Sequence, residues 1–467
     1  MPSSLSPSDY DAFTRRYYSG EVTEADWRRW HAERLTAVLR KVTRRSDFYR
    51  AHLSGVDVDA VTPDDLSRLP FTTKDDLREA MFAVLSGPVG EGAIYYETTG
   101  TTGPPTPCPR GPEDIARSNA HVEEAWRRLF AAHFGARMPV IALMGPSELY
   151  AFGDTFGEVA QRLGACHAKI WPESSRVGFR KALRLLKELR AEVVVCAPAL
   201  CLSLAKAARH YGYDPREDFG IELFLVLGEI CTPEFADNVA SIWGARTLPT
   251  LYGSQEALAI ATGCAEGRMH LSDPNYLVEI LDPRTGAVRG RTGTGELCLT
   301  MLIDGIKPLV RYRTGDLVTV TGPGCPCGRP GGLVEVVGRV ADRIELGGGR
   351  FHPAEIESAV LRGVRGCLGY QVVIDTAPDG ADQVTVRMDL LPDISGPPQQ
   401  VGAGVAERLR ELAGVRAAVV ADGELDPVTN TGAYVSWKAA RILDNRTEPD
   451  DAALVARQVA HRYAIAD

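Results

Sequence analysis

Glu97-Thr98-Thr99-Gly100-Thr101-Thr102-Gly103-Pro104-Pro105-Thr106 follows a short apolar-aromatic run, Ile94 to Tyr96. The six consecutive Thr and Gly residues supply hydroxyls, bare backbone N–H groups and permissive dihedrals, the means by which a chain wraps phosphate oxygens. Gly, Thr and Pro also punctuate ordinary solvated turns, so this stretch alone leaves both readings open. It is not a Walker loop, because the G-x-x-x-x-G-K-[ST] spacing is absent and no lysine follows the second glycine.

Outward from this loop, the composition sets limits. A chain of 467 residues, 45% hydrophobic and 24% charged, has room for two or three globular domains with large cores. A net charge of -9 and a pI near 5.6 argue against nucleic acid or an anionic membrane as the main partner. The basic residues are overwhelmingly arginine, which makes each lysine informative. No N-terminal stretch combines a charged start, an apolar core and a cleavage site, and no run of about 18 apolar residues occurs, so a cytoplasmic protein is expected. Ten cysteines, mostly inside apolar runs such as Val193 to Cys201, read as buried thiols of a reducing compartment.

Along the chain, Trp27, Trp30, Leu35, Val38, Leu39 and Val42 recur at helical spacing, which predicts an amphipathic helix over about Glu24 to Tyr49. In Leu69-Pro70-Phe71-Thr72-Thr73-Lys74-Asp75-Asp76-Leu77, Thr72 or Thr73 can cap a helix with acidic residues in its first turn. Beyond the Thr/Gly loop, helices alternate with short apolar runs at Pro139 to Met144, Ala168 to Trp171, Val193 to Cys196 and Leu223 to Leu227. That is the pattern of an α/β fold with buried, mostly parallel strands, whose ligands sit at the carboxyl ends of the strands.

Gly228-Glu229 closes one apolar run, and Leu248 to Tyr252 ends in Gly253-Ser254-Gln255-Glu256. An aromatic followed by glycine at a strand end can stack on a planar base, and Glu256 is placed to hold a hard cation. A plain strand-to-helix turn with a first-turn Glu fits the same residues. From Tyr276 to Thr321 the period falls to two, predicting a β subdomain that includes Arg311-Tyr312-Arg313-Thr314-Gly315-Asp316. Asp316 sits where it can bond a ribose, although most Gly-Asp turns bind nothing. The remainder reads α-β-β-α-β, with a boundary near Arg339 to Asp342.

The order Thr98 to Gly103, Tyr252 to Glu256, Gly295 to Leu297, Tyr312 to Asp316, Gly338 to Asp342 and Pro353 to Glu357 resembles the successive core motifs of the adenylate-forming superfamily of acyl- and aryl-CoA synthetases. Leu69 to Leu77, the Tyr-Arg-Thr-Gly-Asp run and Lys438-Ala439-Ala440-Arg441 look most like its phenylacetate-coenzyme A ligase branch. The resemblance implies an N-terminal adenylation domain over 1–338 with a β subdomain at about 265–338, a hinge at about 339–342, and a small mobile α+β domain over 342–467. It also implies a two-step reaction. A carboxylate attacks the α-phosphate of ATP, giving an acyl-adenylate and pyrophosphate, and a nucleophile, usually coenzyme A, then displaces AMP.

In that reading Thr98, Thr99, Gly100, Thr101, Thr102 and Gly103 hold the β- and γ-phosphates, and Glu256 with a loop hydroxyl positions Mg²⁺. Tyr252, Gly253 and Ser254 lie by adenine with Glu229 at its edge, and Asp316 takes the ribose hydroxyls with help from Arg339. Lys438 is the catalytic residue, bridging the incoming carboxylate and the α-phosphate, where a compact cation offsets transition-state charge. It is the only lysine after Lys307. Arg350 resembles a family arginine used after domain rotation, and an ordinary surface arginine fits it as well. Three departures bear on the second half-reaction: Ala341 where the hinge often has Asp, Pro104 where a lysine is frequent, and Trp437 where a small residue is usual.

Cys264 and His270, with Cys325-Pro326-Cys327 some 55 residues later, make a Cys3His set suited to a closed structural Zn²⁺ site if the two loops meet. A similar arrangement occurs in this ligase branch, and three free thiols with a surface histidine is the other reading. The acid pocket is expected near Gly228 and the segment Met144 to Thr155, where Tyr150, Phe152 and Gly153 can line an aromatic-acid site or simply belong to the core. The partners expected are a small carboxylic acid and coenzyme A, with an amine or a carrier-protein thiol as alternative acceptors. Neither nucleic acid nor a membrane is expected, and a homodimer is compatible. A non-catalytic nucleotide-binding homologue is the reading from another class, opposed by Lys438, Glu256 and Asp316 occurring together.

Overall fold

Short runs of Val, Leu, Ile and Cys with no polar face must be covered on both sides, and capped amphipathic helices supply the cover. The structure is a computed structural model that describes residues 7–98, 104–421, 425, 429, 437–449 and 451–464. The helices α1 (Pro7–Ser19), α2 (Glu24–Arg45), α3 (Asp47–His52) and α4 (Lys74–Ala80) precede a hairpin of β1 (Ile94–Glu97) and β2 (Pro107–Arg110), then α5 (Pro112–Phe134). Of the two candidate caps for α4, Thr73 is the one used. Its hydroxyl accepts from Asp76 N while Asp76 accepts from Thr73 N, which closes a capping box.

Strands and helices then alternate: β3 (Ile141–Met144), α6 (Phe152–Arg162), β4 (His167–Lys169), α7 (Gly178–Glu188), β5 (Val193–Cys196), α8 (Pro198–His210), β6 (Leu223–Leu227), α9 (Pro233–Trp243) and β7 (Arg246–Ser254). Antiparallel strands follow as β8 (Leu258–Gly263), β9 (Met269–Leu271), β10 (Tyr276–Leu281), β11 (Val288–Gly290), β12 (Gly293–Met301), β13 (Tyr312–Thr321) and β14 (Leu333–Arg339). The last part holds β15 (Ile344–Leu346), β16 (Gly349–Phe351), α10 (Pro353–Leu361), β17 (Cys367–Thr376), β18 (Asp382–Leu390), α11 (Pro392–Ser395), α12 (Pro398–Ala413), β19 (Arg416–Val420), α13 (Trp437–Arg441), β20 (Ile442–Asp444) and α14 (Asp451–Ala464). The predicted α/β class and the α-β-β-α-β order after the Arg339 region are both present.

Two compact units divide the chain. The first takes residues up to Gly135, Ser147–Val159 and Leu251–Val336. Its strands order as β8-β9-β14-β13-β12-β10-β11, with the end of β7 antiparallel to β8. Leu35, Leu39, Leu77, Ile260, Ile280, Leu299 and Val318 fill its core. The second takes Ala136–Pro146, Ala160–Thr250 and the chain from Val337 onward. There β4, β3, β5 and β6 pair in parallel, with Ile141 opposite both His167 and Val193, and Val193 opposite Leu223.

A single apolar core in this second unit runs from Leu183, Leu204, Phe224 and Val239 to Ile356, Val360, Tyr370, Val386 and Leu409. Two buried polar links cross it. The Asn238 amide donates to Cys367 O at 2.7 Å and accepts from Cys367 N at 2.9 Å, while Glu357 accepts from Tyr370 Oη at 2.7 Å. Among the described residues no helix is long and apolar enough to cross a membrane.

Candidate active site

β1 and β2 pair antiparallel from Ile94 opposite Arg110 to Glu97 opposite Pro107, so the Thr/Gly stretch forms the tip of a hairpin. Thr98 is buried, and its hydroxyl accepts from Thr106 N at 2.9 Å, closing the neck of that tip. Thr99, Gly100, Thr101, Thr102 and Gly103 lie outside the described residues. Pro104, the departure after the loop, is exposed.

The Tyr252 to Glu256 segment ends β7, and no helix follows it. The chain turns through Gln255-Glu256-Ala257 and returns as β8, with Gly253 opposite Ala259 and Ser254 opposite Leu258. Glycine is required at 253, because a Cβ there would lie 2.0 Å from Leu258 O. Ser254 Oγ accepts from Ala257 N at 3.1 Å and braces the turn. Tyr252 Oη donates to Asp316 Oδ2 at 2.8 Å, so two of the expected nucleotide contacts are joined by a hydrogen bond. Asp316 itself sits at an irregularity of the β12–β13 ladder, next to Gly315 at φ 75°. That bulge takes it out of the regular register.

Glu256 is only 4% exposed, yet its Oε1 has no hydrogen-bond partner among the described residues. Lys74 Nζ, on the first residue of α4, lies 3.6 Å from that oxygen. Burial pushes the Glu256 carboxyl up, but the Lys74 and Lys307 ammonium groups, with hydrogen bonds from its own backbone and from Ser254, outweigh it and hold the group below its ordinary value. A buried, ionised carboxylate oxygen with an unused lone pair suits a hard dication. Lys74 reaches the turn because Thr72 bridges to the sheet beside it: Thr72 N donates to Arg311 O at 3.0 Å and Arg313 N to Thr72 O at 2.9 Å. Lys74 and Arg110, whose guanidinium donates to Gln255 O and Glu256 O, were not legible as site residues in the sequence. The scarcity of lysine was the one available signal for Lys74.

Lys438, Glu229, Gly228, Arg339 and Arg350 belong to the second unit. Gly228 follows β6 at φ 89°, a conformation that favours glycine. One oxygen of Glu229 accepts from Ala199 N at 3.0 Å in the first turn of α8, so that oxygen is committed to the helix N-terminus. Arg339 ends β14, and the following Val340–Asp342 segment, with Ala341 in it, is a short 3-10 turn with no buried residue. Arg350 is exposed and pairs with Glu345 at 2.8 Å. Lys438 is half-buried on α13, whose Arg441 is buried with its guanidinium 5.5 Å from the Tyr370 ring centre. The side chain of Trp437 is outside the described residues.

Of the acid-pocket residues, Tyr150 and Phe152 are half-buried and Gly153 is buried. Burial and then the Glu97 carboxylate raise the Tyr150 hydroxyl above its ordinary value. Phe152 meets Phe156 edge-on with centroids 5.2 Å apart, and Phe156 stacks on Trp126 at 5.2 Å, so Phe152 is in part core. The backbone links this segment to the hairpin, since Glu97 N donates to Leu149 O at 3.2 Å and Tyr96 Oη donates to Asp154 Oδ2 at 3.0 Å.

The two cysteine loops do meet. The ligand atoms of Cys264, His270, Cys325 and Cys327 all lie within 4.8 Å of one another. Cys264 Sγ is 3.8 Å from Cys325 Sγ, and Cys327 Sγ is 3.3 Å from His270 Nε2. A tetrahedral zinc with Zn–S bonds of about 2.3 Å needs ligand separations of about 3.8 Å. His270 Nδ1 lies 3.2 Å from Pro330 O; donation to that carbonyl leaves Nε2 as the ligand atom.

No protein-family model matches the chain. A phenylacetate-coenzyme A ligase of Thermus thermophilus is 31% identical over 353 residues, covering 73% of this chain and 77% of that protein. A phenylacetate-coenzyme A ligase of Pseudomonas putida is 30% identical over 355 residues, again covering 73% of this chain and 77% of its own length. Among solved structures, a 2-hydroxyisobutyryl-CoA ligase in its postadenylation state with 2-HIB-AMP aligns with a TM-score of 0.74, covering 97% of this chain and 94% of that one. At 21% identity that is a likeness of fold. The sequence relationship to the two bacterial ligases is close enough to place the protein: the chain belongs to the phenylacetate-coenzyme A ligase family of adenylate-forming enzymes.

Proposed function

We propose that this ligase uses ATP and Mg²⁺ to convert an aromatic or arylacetic acid to its acyl-adenylate, releasing pyrophosphate, and then passes the acyl group to the thiol of coenzyme A. The observation that carries the reading is the β7–β8 turn, where a buried carboxylate with an unused oxygen faces Lys74 while the adjoining Tyr252 is bonded to Asp316. Glu256 would hold Mg²⁺, and the ion would neutralise phosphate charge. Tyr252 and Gly253 would flank adenine and Asp316 would take the ribose hydroxyls. Lys438 would meet the carboxylate and the α-phosphate, where two anions have to approach. Tyr150 and Phe152 support an aromatic acid, being half-buried beside the hairpin.

In this reading residues 342–467 act as a lid that turns about 339–342, which the 3-10 turn there, with no buried residue, favours. The turn has to release the Asn238–Cys367 bonds, so the swing carries a cost in buried hydrogen bonds. The free thiols throughout the described chain are in keeping with a reducing cytoplasm.

The test is pyrophosphate release with ATP, Mg²⁺ and a panel of aromatic and aliphatic acids, with and without coenzyme A. Release that requires an aromatic acid, together with a thioester when coenzyme A is added, is the expected result. Release without any thioester, but with product when an amine or carrier protein is supplied, would replace the second half of the reading. No release with any acid would overturn it.

We further read the Cys3His cluster as a structural Zn²⁺ site. Burial pushes the Cys264 thiol up to about 12, and a dication at this site would reverse that by binding the thiolate. Elemental analysis of protein purified without added metal is expected to find about one zinc per chain, lost in Cys325→Ser. Sub-stoichiometric metal in the unmodified protein would remove the claim.

A further inference from the structure

Arg110 is the last residue of β2, and its side chain has no exposed surface. A guanidinium in such a place is costly unless its hydrogen bonds require it, since an apolar side chain would fill the same volume. Its Nη2 donates to two successive carbonyls, Gln255 O and Glu256 O, the second at 2.7 Å. These carbonyls lie in the β7–β8 turn, beyond the last paired residues Ser254 and Leu258. The third carbonyl of the turn, Ala257 O, accepts from the buried Tyr276 hydroxyl. Leu258 leaves the turn at φ 63°, a conformation that non-glycine residues avoid. Three side-chain bonds to successive carbonyls therefore hold a turn that local propensity does not favour. Asp114 supplies a counter-charge, with its Oδ2 4.0 Å from Arg110 Nη1.

Anchoring the backbone on both sides of the Glu256 Cα stops the carboxylate from relaxing toward another partner, so its Oε1 stays 3.6 Å from the Lys74 ammonium without a hydrogen bond among the described residues. We infer that Arg110 is a positioning residue, a buried guanidinium that holds the Glu256 turn in the geometry needed to bind the cation accompanying ATP. The inference rests on Glu256 being the cation carboxylate, and the experiment separates the two.

ATP affinity is measured by calorimetry with and without Mg²⁺ in the full chain, its Glu256→Gln variant, its Arg110→Lys variant and the double variant. Lysine keeps a charge near Asp114, but its ammonium ends one bond short of the Nη2 position from which the guanidinium donates to both carbonyls. Arg110→Lys is expected to cut the Mg²⁺-dependent gain in ATP affinity by about fivefold or more, and to cut it no further in the Glu256→Gln background. A gain kept within about twofold, or losses that multiply in the double variant, would show that Arg110 does not act through Glu256. If Glu256→Gln by itself leaves the gain unchanged, the carboxylate assignment fails, whatever Arg110 does. Should Arg110→Lys not fold, the charge-matched Arg110→Gln/Asp114→Asn pair carries the same test, and its failure to fold as well would mark Arg110 as purely structural.

Discussion

Lys438→Ala is expected to lower acid-dependent pyrophosphate release by about two to three orders of magnitude, the scale seen when one preorganised donor opposite a developing anion is removed. The substitution takes a half-buried side chain from α13 while Ala440 and Arg441, which are buried, stay in place. Thermal stability should therefore change by no more than about 1 kcal/mol. Burial raises the nearby Asp444 carboxyl, but Arg446 and, to a smaller extent, Lys438 bring it below its ordinary value. The decisive comparison is ATP binding against turnover. If the charge is used in the transition state, ATP affinity survives while the rate collapses. A variant that keeps more than about a tenth of the rate would remove Lys438 from the chemistry.

Glu256→Gln is expected to reduce the same rate by about ten- to a thousandfold and to raise the Mg²⁺ needed for half-maximal activity. The amide has nearly the shape of the carboxylate, so the effect isolates the charge. The folded-state carboxyl is held below its usual range, so it is ionised at neutral pH and its electrostatic contribution is lost only as pH falls through that lowered value. Lys74→Met removes the larger of the two lysine contributions and should move the acid limb of the pH–rate profile upward. An unchanged acid limb would mean that Glu256 is not the titrating group. An unchanged Mg²⁺ requirement in Glu256→Gln would assign the cation elsewhere.

Much of this was legible in the sequence. Helix and strand periods predicted α2, α5, α8, β5, β6 and the C-terminal α-β-β-α-β order, because burial on one stripe or on both faces leaves its mark residue by residue. The cysteine and histidine spacing pointed to the Cys3His cluster, since few other uses place three soft ligands and an imidazole in two short loops. The turn after Tyr252 was less legible. Gly253-Ser254-Gln255-Glu256 suits a helix start as well as a hairpin, and pairing with β8 decided for the hairpin.

Fold class, the motif order and the family relationship are thus properties of the sequence, carried by local propensity and by residue types whose chemistry has few alternatives. Partnership among distant residues belongs to the tertiary structure alone. Lys74 beside Glu256, Arg110 beneath the same turn, and Tyr252 bonded to Asp316 each join positions between 64 and 182 residues apart. No local pattern encodes such a meeting, because long-range pairing is set by which buried surfaces the whole chain can close together. The same holds for the ionisation of Glu256. Burial alone would raise its carboxyl, and two lysines brought from elsewhere in the chain, with local hydrogen bonds from the Glu256 backbone and Ser254, hold it below its ordinary value.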